Sequence, residues 1–184
     1  EQPKPKKDKP AAQPKKTETK DAAPESTQPL FSRLDIRVGR IKKAWKHPNA
    51  DSLYIEEIDL GEPEPRQVVS GLVKFIPEEK MQGAKVLVIV NLKPSDMRGV
   101  VSYGMVLAAS NAEHTQVELV QWPEGSQLGE RITLEGMEIW DHKPEENIDG
   151  KNKKSTWQKI APNLRTNDKR EACFEGVRLI STAG

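Results

Sequence analysis

Between Val86 and Ser110 the chain reads VLVIVNLKPSDMRGVVSYGMVLAAS, and this stretch limits the fold more than any other. Two apolar runs, Val86–Leu92 and Tyr103–Ala109, flank a polar loop that carries Lys93, Pro94, Met97, Arg98 and Gly99. Short Val/Leu/Ile runs bounded by turn residues read as buried strands. Two such strands with a cationic loop between them form a rigid frame with a charged tip, the arrangement by which a small β-domain meets phosphate.

The preceding chain supplies three more strands. Arg37–Lys46 (RVGRIKKAWK) reads as the first, with Gly39 as the expected site of a bulge or barrel corner. His47-Pro48-Asn49-Ala50-Asp51 is a turn by composition. Leu53–Leu60 and Arg66–Ser70 follow as strands, with Gly61–Pro65 as a turn between them. Pro77–Gln82 suits a short helix, with Pro in its first turn and Gly83 closing it. Upstream of these strands, Ser32 is placed to cap a helical turn. Downstream, Val117–Val120 and Arg131–Leu134 read as additional short strands.

Three strands, a short helix and two further strands predict an all-β domain with short helices. Its architecture is a five-stranded barrel of the oligonucleotide- and oligosaccharide-binding (OB) fold, the helix plugging one end between strands three and four. An SH3-like barrel or small sandwich is the structural competitor, and the helix position argues against both. The expected division is a Lys/Pro-rich disordered tail over 1–29, the OB-fold domain over 30–135, and an extension over 136–184 packed on the barrel. Trp140, Trp157, Phe174, Ile160 and Leu164 are too sparse to give that extension a core of its own. Lys151–Ile160 reads as a short helix that brings Lys153 and Lys154 near Trp157.

Charge narrows the function without deciding it. Lys and Arg number 29 against 28 Asp and Glu, a net charge of +1, so any basic surface must be local. The tail holds Lys4, Lys6, Lys7, Lys9, Lys15, Lys16 and Lys20 among prolines; it reads as a solvated linker or as a basic arm adding phosphate contacts. Arg37, Arg40, Lys42, Lys43 and Lys46 make the first strand either a charge-protected edge or a phosphate-facing one. Candidate RNA contacts are Lys42, Lys43, Arg66, Lys93 and Arg98 for phosphates, Met97 under a base, and Asn91 and Ser102 for ribose or base edges. Lys153 and Lys154, with Lys151 and Lys159, extend the basic surface or merely solvate a helix. Tyr54, Tyr103 and Trp45 are the few stacking candidates, a scarcity that favours recognition of RNA shape.

No catalytic constellation or cofactor motif appears, and His47, His114 and His142 are too scattered for a metal site. No cofactor is expected. The lone Cys173 suits a reducing compartment and a buried position. No apolar run is long enough to span a bilayer, so no membrane association is expected.

Four blocks carry a family resemblance: Asp35-Ile36-Arg37-Val38-Gly39-Arg40-Ile41; His47-Pro48-Asn49-Ala50-Asp51-Ser52-Leu53-Tyr54; Arg66-Gln67-Val68-Val69-Ser70-Gly71-Leu72-Val73; and Asn91-Leu92-Lys93-Pro94 with Met97-Arg98-Gly99-Val100, Ser102 and Gly104-Met105. In order and spacing they closely resemble the tRNA-binding domain of the endothelial monocyte-activating polypeptide II family. Such domains are appended to tyrosyl-, methionyl- and lysyl-tRNA synthetases and to synthetase cofactors. Trp157-Gln158-Lys159-Ile160 with Pro162, Leu164 and Thr166-Asn167-Asp168 is similar to the family's C-terminal extension, which mimics a dimer interface and lets one chain act as a monomer. The resemblance implies a non-catalytic accessory domain that brings tRNA to an aminoacyl-tRNA synthetase in cis or in trans, in the cytoplasm. Two other readings stay open. Arg37, Val38, Gly39, Arg40 and Ile41 stand where cytokine-active members carry a chemotactic motif, which implies a released, secreted signalling polypeptide. The extension implies a protein-docking module in a multi-synthetase complex.

Overall fold

A computed structural model describes residues 27–137 and 142–184. Most of the tail and Trp140 therefore lie outside the described residues. Five strands form the main sheet: β1 (Ile36–His47), β2 (Ala50–Asp59), β3 (Arg66–Ser70), β4 (Lys85–Ile89) and β7 (Met105–Val106), in the order β3-β2-β1-β4-β7, all antiparallel. The short helix α1 (Glu78–Met81) lies between β3 and β4 and starts after Pro77. Gly83, at φ 72°, follows it. The sheet curls until β3 meets the β7 end: Tyr103 N–H donates to Gln67 O at 3.0 Å. The result is the nearly closed five-stranded antiparallel barrel expected from the strand order, consistent with an OB fold.

Alternation explains the barrel interior. Ile41, Tyr54, Ile58, Val68, Val86 and Val88 point inward and are buried, with Met81 of α1 plugging one end. The bulge is not at Gly39. Register shifts fall between Ile41 and Lys43 and at the hairpin end, Lys46/His47. Gly39 serves close approach instead: a Cβ there would sit 2.8 Å from Leu60 Cδ2. Ser32 is no cap either. It lies inside the 3₁₀ turn Phe31–Arg33, and its hydroxyl donates back to Pro29 O at 2.8 Å.

The expected polar loop of the opening stretch is itself folded. The strand after Val86 ends at Ile89, and β5 (Ser95–Met97) pairs with β6 (Val100–Ser102) as a hairpin. Its two-residue turn is Arg98-Gly99, with φ of 59° and 90°, the left-handed pair that matches strand twist. The run Tyr103–Ala109 is split: Met105 and Val106 pair with β4, whereas β8 (Ala108–Ser110) leaves to pair with β9 (Val117–Leu119).

Beyond the barrel, β10 (Thr133–Leu134), β11 (Leu164–Thr166), β12 (Ala172–Phe174) and β13 (Val177–Ile180) make a second sheet that the sequence reading lacked, ordered β10-β13-β12-β11. The expected Lys151–Ile160 helix is only Thr156–Ile160 (α2), because Ser155 caps it by accepting from Gln158 N–H. Lys153 and Lys154 consequently sit in the exposed turn before the helix. The extension shares a core with the barrel's outer face: Ile148, Ile160 and Phe174 join Phe31, Leu34, Ile36, Leu87 and Ile89 in one buried cluster. Phe31 and Phe174 have ring centroids 5.4 Å apart.

Candidate nucleic-acid interface

A groove of about 980 Å³ runs between the end of β3, the β5–β6 hairpin and the segment entering the extension. Its lining includes Val69, Ser70 and Leu72 from the barrel, Met97, Arg98 and Ser102 from the hairpin, and Lys93 and Lys151 beside them. Residues far apart in sequence meet here for identifiable reasons. Leu92 and Ile148 form a parallel bridge, and Lys93 N–H donates to Ile148 O at 2.8 Å. That bridge carries the Asp149–Lys151 turn to the side of Lys93. The hairpin tip is held by His47, which is buried. His47 Nδ1 accepts from Asn49 N–H at 3.0 Å, so Nε2 carries the proton and donates to Met97 O at 2.9 Å.

Lys93, Arg98 and Lys151 are exposed at the rim, and their side chains meet no carboxylate among the described residues. The two acids on the same rim each turn one oxygen to backbone: Asp96 Oδ1 accepts from Gly99 N–H at 3.2 Å, and Asp149 Oδ1 from Lys151 N–H at 3.0 Å. Three exposed cations and the half-buried Met97 thus face a concave, largely apolar floor, an arrangement suited to phosphates along the rim and a base or sugar within.

Other expected contacts are committed to the frame. Ser102 is buried; its Oγ accepts from Val69 N–H at 2.9 Å and donates to Gly104 O at 2.9 Å, so it closes the barrel although it borders the groove. Asn91 Oδ1 accepts from Asp35 N–H, and its amide donates to Arg33 O and Glu145 O at 2.9 and 2.8 Å. Neither has a hydrogen-bond donor to spare for ribose or base edges. Arg66 pairs bidentately with Glu62 and donates to the carbonyls of Val90 and Tyr103, both at 3.0 Å. It is a seam residue rather than a phosphate contact.

Lys42 and Lys43 are exposed on β1 but do not line the groove; Lys42 pairs with Asp59 at 3.6 Å and Lys43 lies over the Trp45 ring at 5.1 Å. Lys153 and Lys154 follow Lys151 without lining it. Among the stacking candidates, Tyr54 is in the core and its phenol donates to Ile76 O at 2.8 Å, while Tyr103 is 45% exposed. In the Arg37–Ile41 motif, Val38, Gly39 and Ile41 are buried and Arg37 is held by Asp35 at 2.8 Å, which leaves Arg40 as its exposed residue. Its guanidinium lies 5.3 Å from the Trp122 ring centroid.

The sequence reading missed Ser70 as part of the groove and Glu56 beneath it. Period two along β2 places Glu56 with Tyr54 and Ile58 on the inner face, a signal the sequence contained. Burial pushes the Glu56 carboxyl up to about 8, the Ser70 hydrogen bond opposing that rise. Among the described residues no group of His, Cys, Asp or Glu is placed to hold a metal ion, and no helix is long and apolar enough to cross a membrane.

Comparison with known proteins shows the family. The chain is 54% identical over 153 residues to a protein of Oryza sativa named "Probable methionine--tRNA ligase", covering 83% of this chain and 18% of that protein. It is 45% identical over 157 residues to the mouse "Aminoacyl tRNA synthase complex-interacting multifunctional protein 1", covering 85% of this chain and 48% of that one. The chain therefore spans between about a fifth and a half of the length of these curated relatives. The solved C-terminal domain of Plasmodium vivax p43 superposes with a TM-score of 0.78 at 34% identity, over 84% of this chain and 91% of that domain. Residues 36–131, more than half of the chain, match the family described as "Putative tRNA binding domain". The chain belongs to that tRNA-binding domain family, in the branch that includes the endothelial monocyte-activating polypeptide II proteins.

Proposed function

We propose that this chain is a non-catalytic accessory module that binds tRNA through its phosphate backbone and shape, and retains it for an aminoacyl-tRNA synthetase in cis or in trans. The observation that carries this reading is the convergence of Lys93, Arg98 and Lys151, without acidic partners among the described residues, on the rim of one groove. Phosphates meet such cations at little cost, because no ion pair has to be broken first. Lys153 and Lys154 continue the cationic track from Lys151. The named functions of the relatives, a methionine–tRNA ligase and a synthetase-complex protein, supply the synthetase partner in this reading. The shared core of extension and barrel supports the extension as a cover over the barrel face, letting one chain work as a monomer.

A titration with unfractionated tRNA, with duplex DNA as competitor, tests the reading. Between about 50 and about 200 mM salt, affinity is expected to fall about a hundred-fold if roughly four phosphates are neutralised. The tRNA is expected to be preferred over duplex DNA. Salt-insensitive binding, or none at low salt, would remove the phosphate-held tRNA reading and direct attention to protein partners.

A further inference from the structure

The wall of the groove adjoins a carboxyl that the cationic rim does not explain. Glu56 is fully buried, among Tyr54 and Ile58 of its own strand. One of its oxygens is hydrogen-bonded to Ser70 Oγ, and Oε2 has no hydrogen-bond partner among the described residues. Ser70 is half-buried and lines the groove along with Lys93 and Arg98. One hydroxyl therefore lies between a sealed carboxyl and the space of the ligand.

We infer that Ser70 reads a phosphate oxygen in the groove, and that Glu56 is its positioning residue, freeing the serine hydrogen for the ligand only while the carboxyl keeps its own proton. The inference rests on the tRNA reading above and names the group that sees the phosphate. A serine hydroxyl has one hydrogen to donate. With Glu56 protonated, the acid O–H donates to Ser70 Oγ, and the serine hydrogen turns to the groove. With Glu56 ionised, that hydrogen is drawn to the carboxylate. The groove then meets only serine lone pairs above a buried negative charge. Both changes weaken an anionic ligand, so phosphate binding and the Glu56 proton are linked with the same sign.

The surroundings favour the protonated acid. Opposite Glu56, β1 presents Ala44 and β3 presents Val68, neither of them charged. On the inner face of its own strand the titratable neighbour is Tyr54, whose phenol is raised by burial, by the acids Glu78 and Glu79 of α1 and by Glu56 itself. No described cation forms an ion pair with Glu56, and burial holds its carboxyl near 8. Each neighbouring charge is acidic or absent, which leaves desolvation unopposed except by Ser70.

The test is tRNA affinity at fixed ionic strength from about pH 7 to about pH 9, with folding of each protein checked by circular dichroism. Wild-type affinity is expected to fall about ten-fold as the carboxyl ionises. Glu56→Gln, whose amide still donates to Ser70 Oγ, is expected to bind as tightly at the top of the range as at the bottom. Ser70→Ala, which keeps the Glu56 charge but loses the hydroxyl, is expected to bind more weakly than wild type at neutral pH, with a shallower profile. A mutation-free reading comes from the Glu56 carboxyl ¹³C titration, which is expected to move to higher pH when tRNA is added. Parallel profiles for wild type and Glu56→Gln, or an unmoved carboxyl titration, would overturn the proton link while leaving tRNA binding intact. Absence of tRNA binding in every protein at neutral pH would overturn the tRNA reading, and this inference with it.

Discussion

At the barrel seam, Arg66 is held by Glu62 and by the carbonyls of Val90 and Tyr103; beside the barrel, Arg131 is held by those of Ser32, Leu34 and His142. At the groove rim, Lys93, Arg98 and Lys151 have no such partners among the described residues. Arg66 ties β3 to the segments that follow β4 and precede β7, and Arg131 ties the Phe31–Arg33 turn to His142, so both hold the frame together. Recruiting one to a ligand would leave buried carbonyls or a carboxylate unpaired, a cost of several kcal/mol. The rim cations carry no such cost. Partnership, rather than the number of Lys and Arg, separates the residues that build this domain from those that meet its ligand.

The largest expected effect lies in the frame. Arg131→Ala removes a donor from three carbonyls, of which Ser32 O keeps the Gln28 amide, and should lower the unfolding free energy by about 3 kcal/mol in urea titrations, with the tRNA affinity of the folded fraction preserved. Loss of affinity beyond the unfolded fraction would merge the two classes. Next, Lys93→Glu with Arg98→Glu should weaken tRNA binding about a hundred-fold, or about 2.7 kcal/mol, with the melting temperature nearly unchanged. A large drop in melting temperature would place these residues in the frame.

A buried acid sharpens the same contrast through pH. The Glu56 carboxyl is raised to about 8 in the folded chain, whereas an unfolded glutamate releases its proton near 4.5. Between those values the unfolded chain binds fewer protons, so wild-type stability falls as pH rises. Glu56→Gln should escape that loss, gaining on the order of 2 kcal/mol over wild type between about pH 5 and about pH 8. Equal pH dependence of unfolding in the two proteins would show that Glu56 ionises normally. The smallest effect belongs to Lys42→Gln with Lys43→Gln, whose cations are outside the groove: affinity should change less than about three-fold.

Much of the frame was legible in the chain. Arg66–Ser70 and the helix after Pro77 fall where turn residues and apolar runs put them, and four blocks at family spacing identify the barrel. The hairpin Ser95–Ser102 was not legible, because its left-handed turn is built on Arg98 rather than on the Asn-Gly or Asp-Gly pair that announces such turns. β10 falls within the strand read at Arg131–Leu134, but the second sheet stayed hidden because its partners β11 to β13 are three to four residues long, too short for alternation to show. Within the site, Lys93, Met97 and Arg98 were legible from the loop. Arg66 and Asn91 looked equally available, yet apart from Glu62 the partners named above lie 24 to 58 residues away and are tertiary facts. Glu56 was readable from period two, but only Ser70 and the folded groove give its burial a consequence.

The most direct measurement is the slope of log affinity for tRNA against log salt, for the wild type and for the triple substitution Lys93→Gln, Arg98→Gln and Lys151→Gln. If these three cations hold phosphates, the slope should become shallower by about two to three. An unchanged slope in the triple variant would contradict the rim as the phosphate-binding surface.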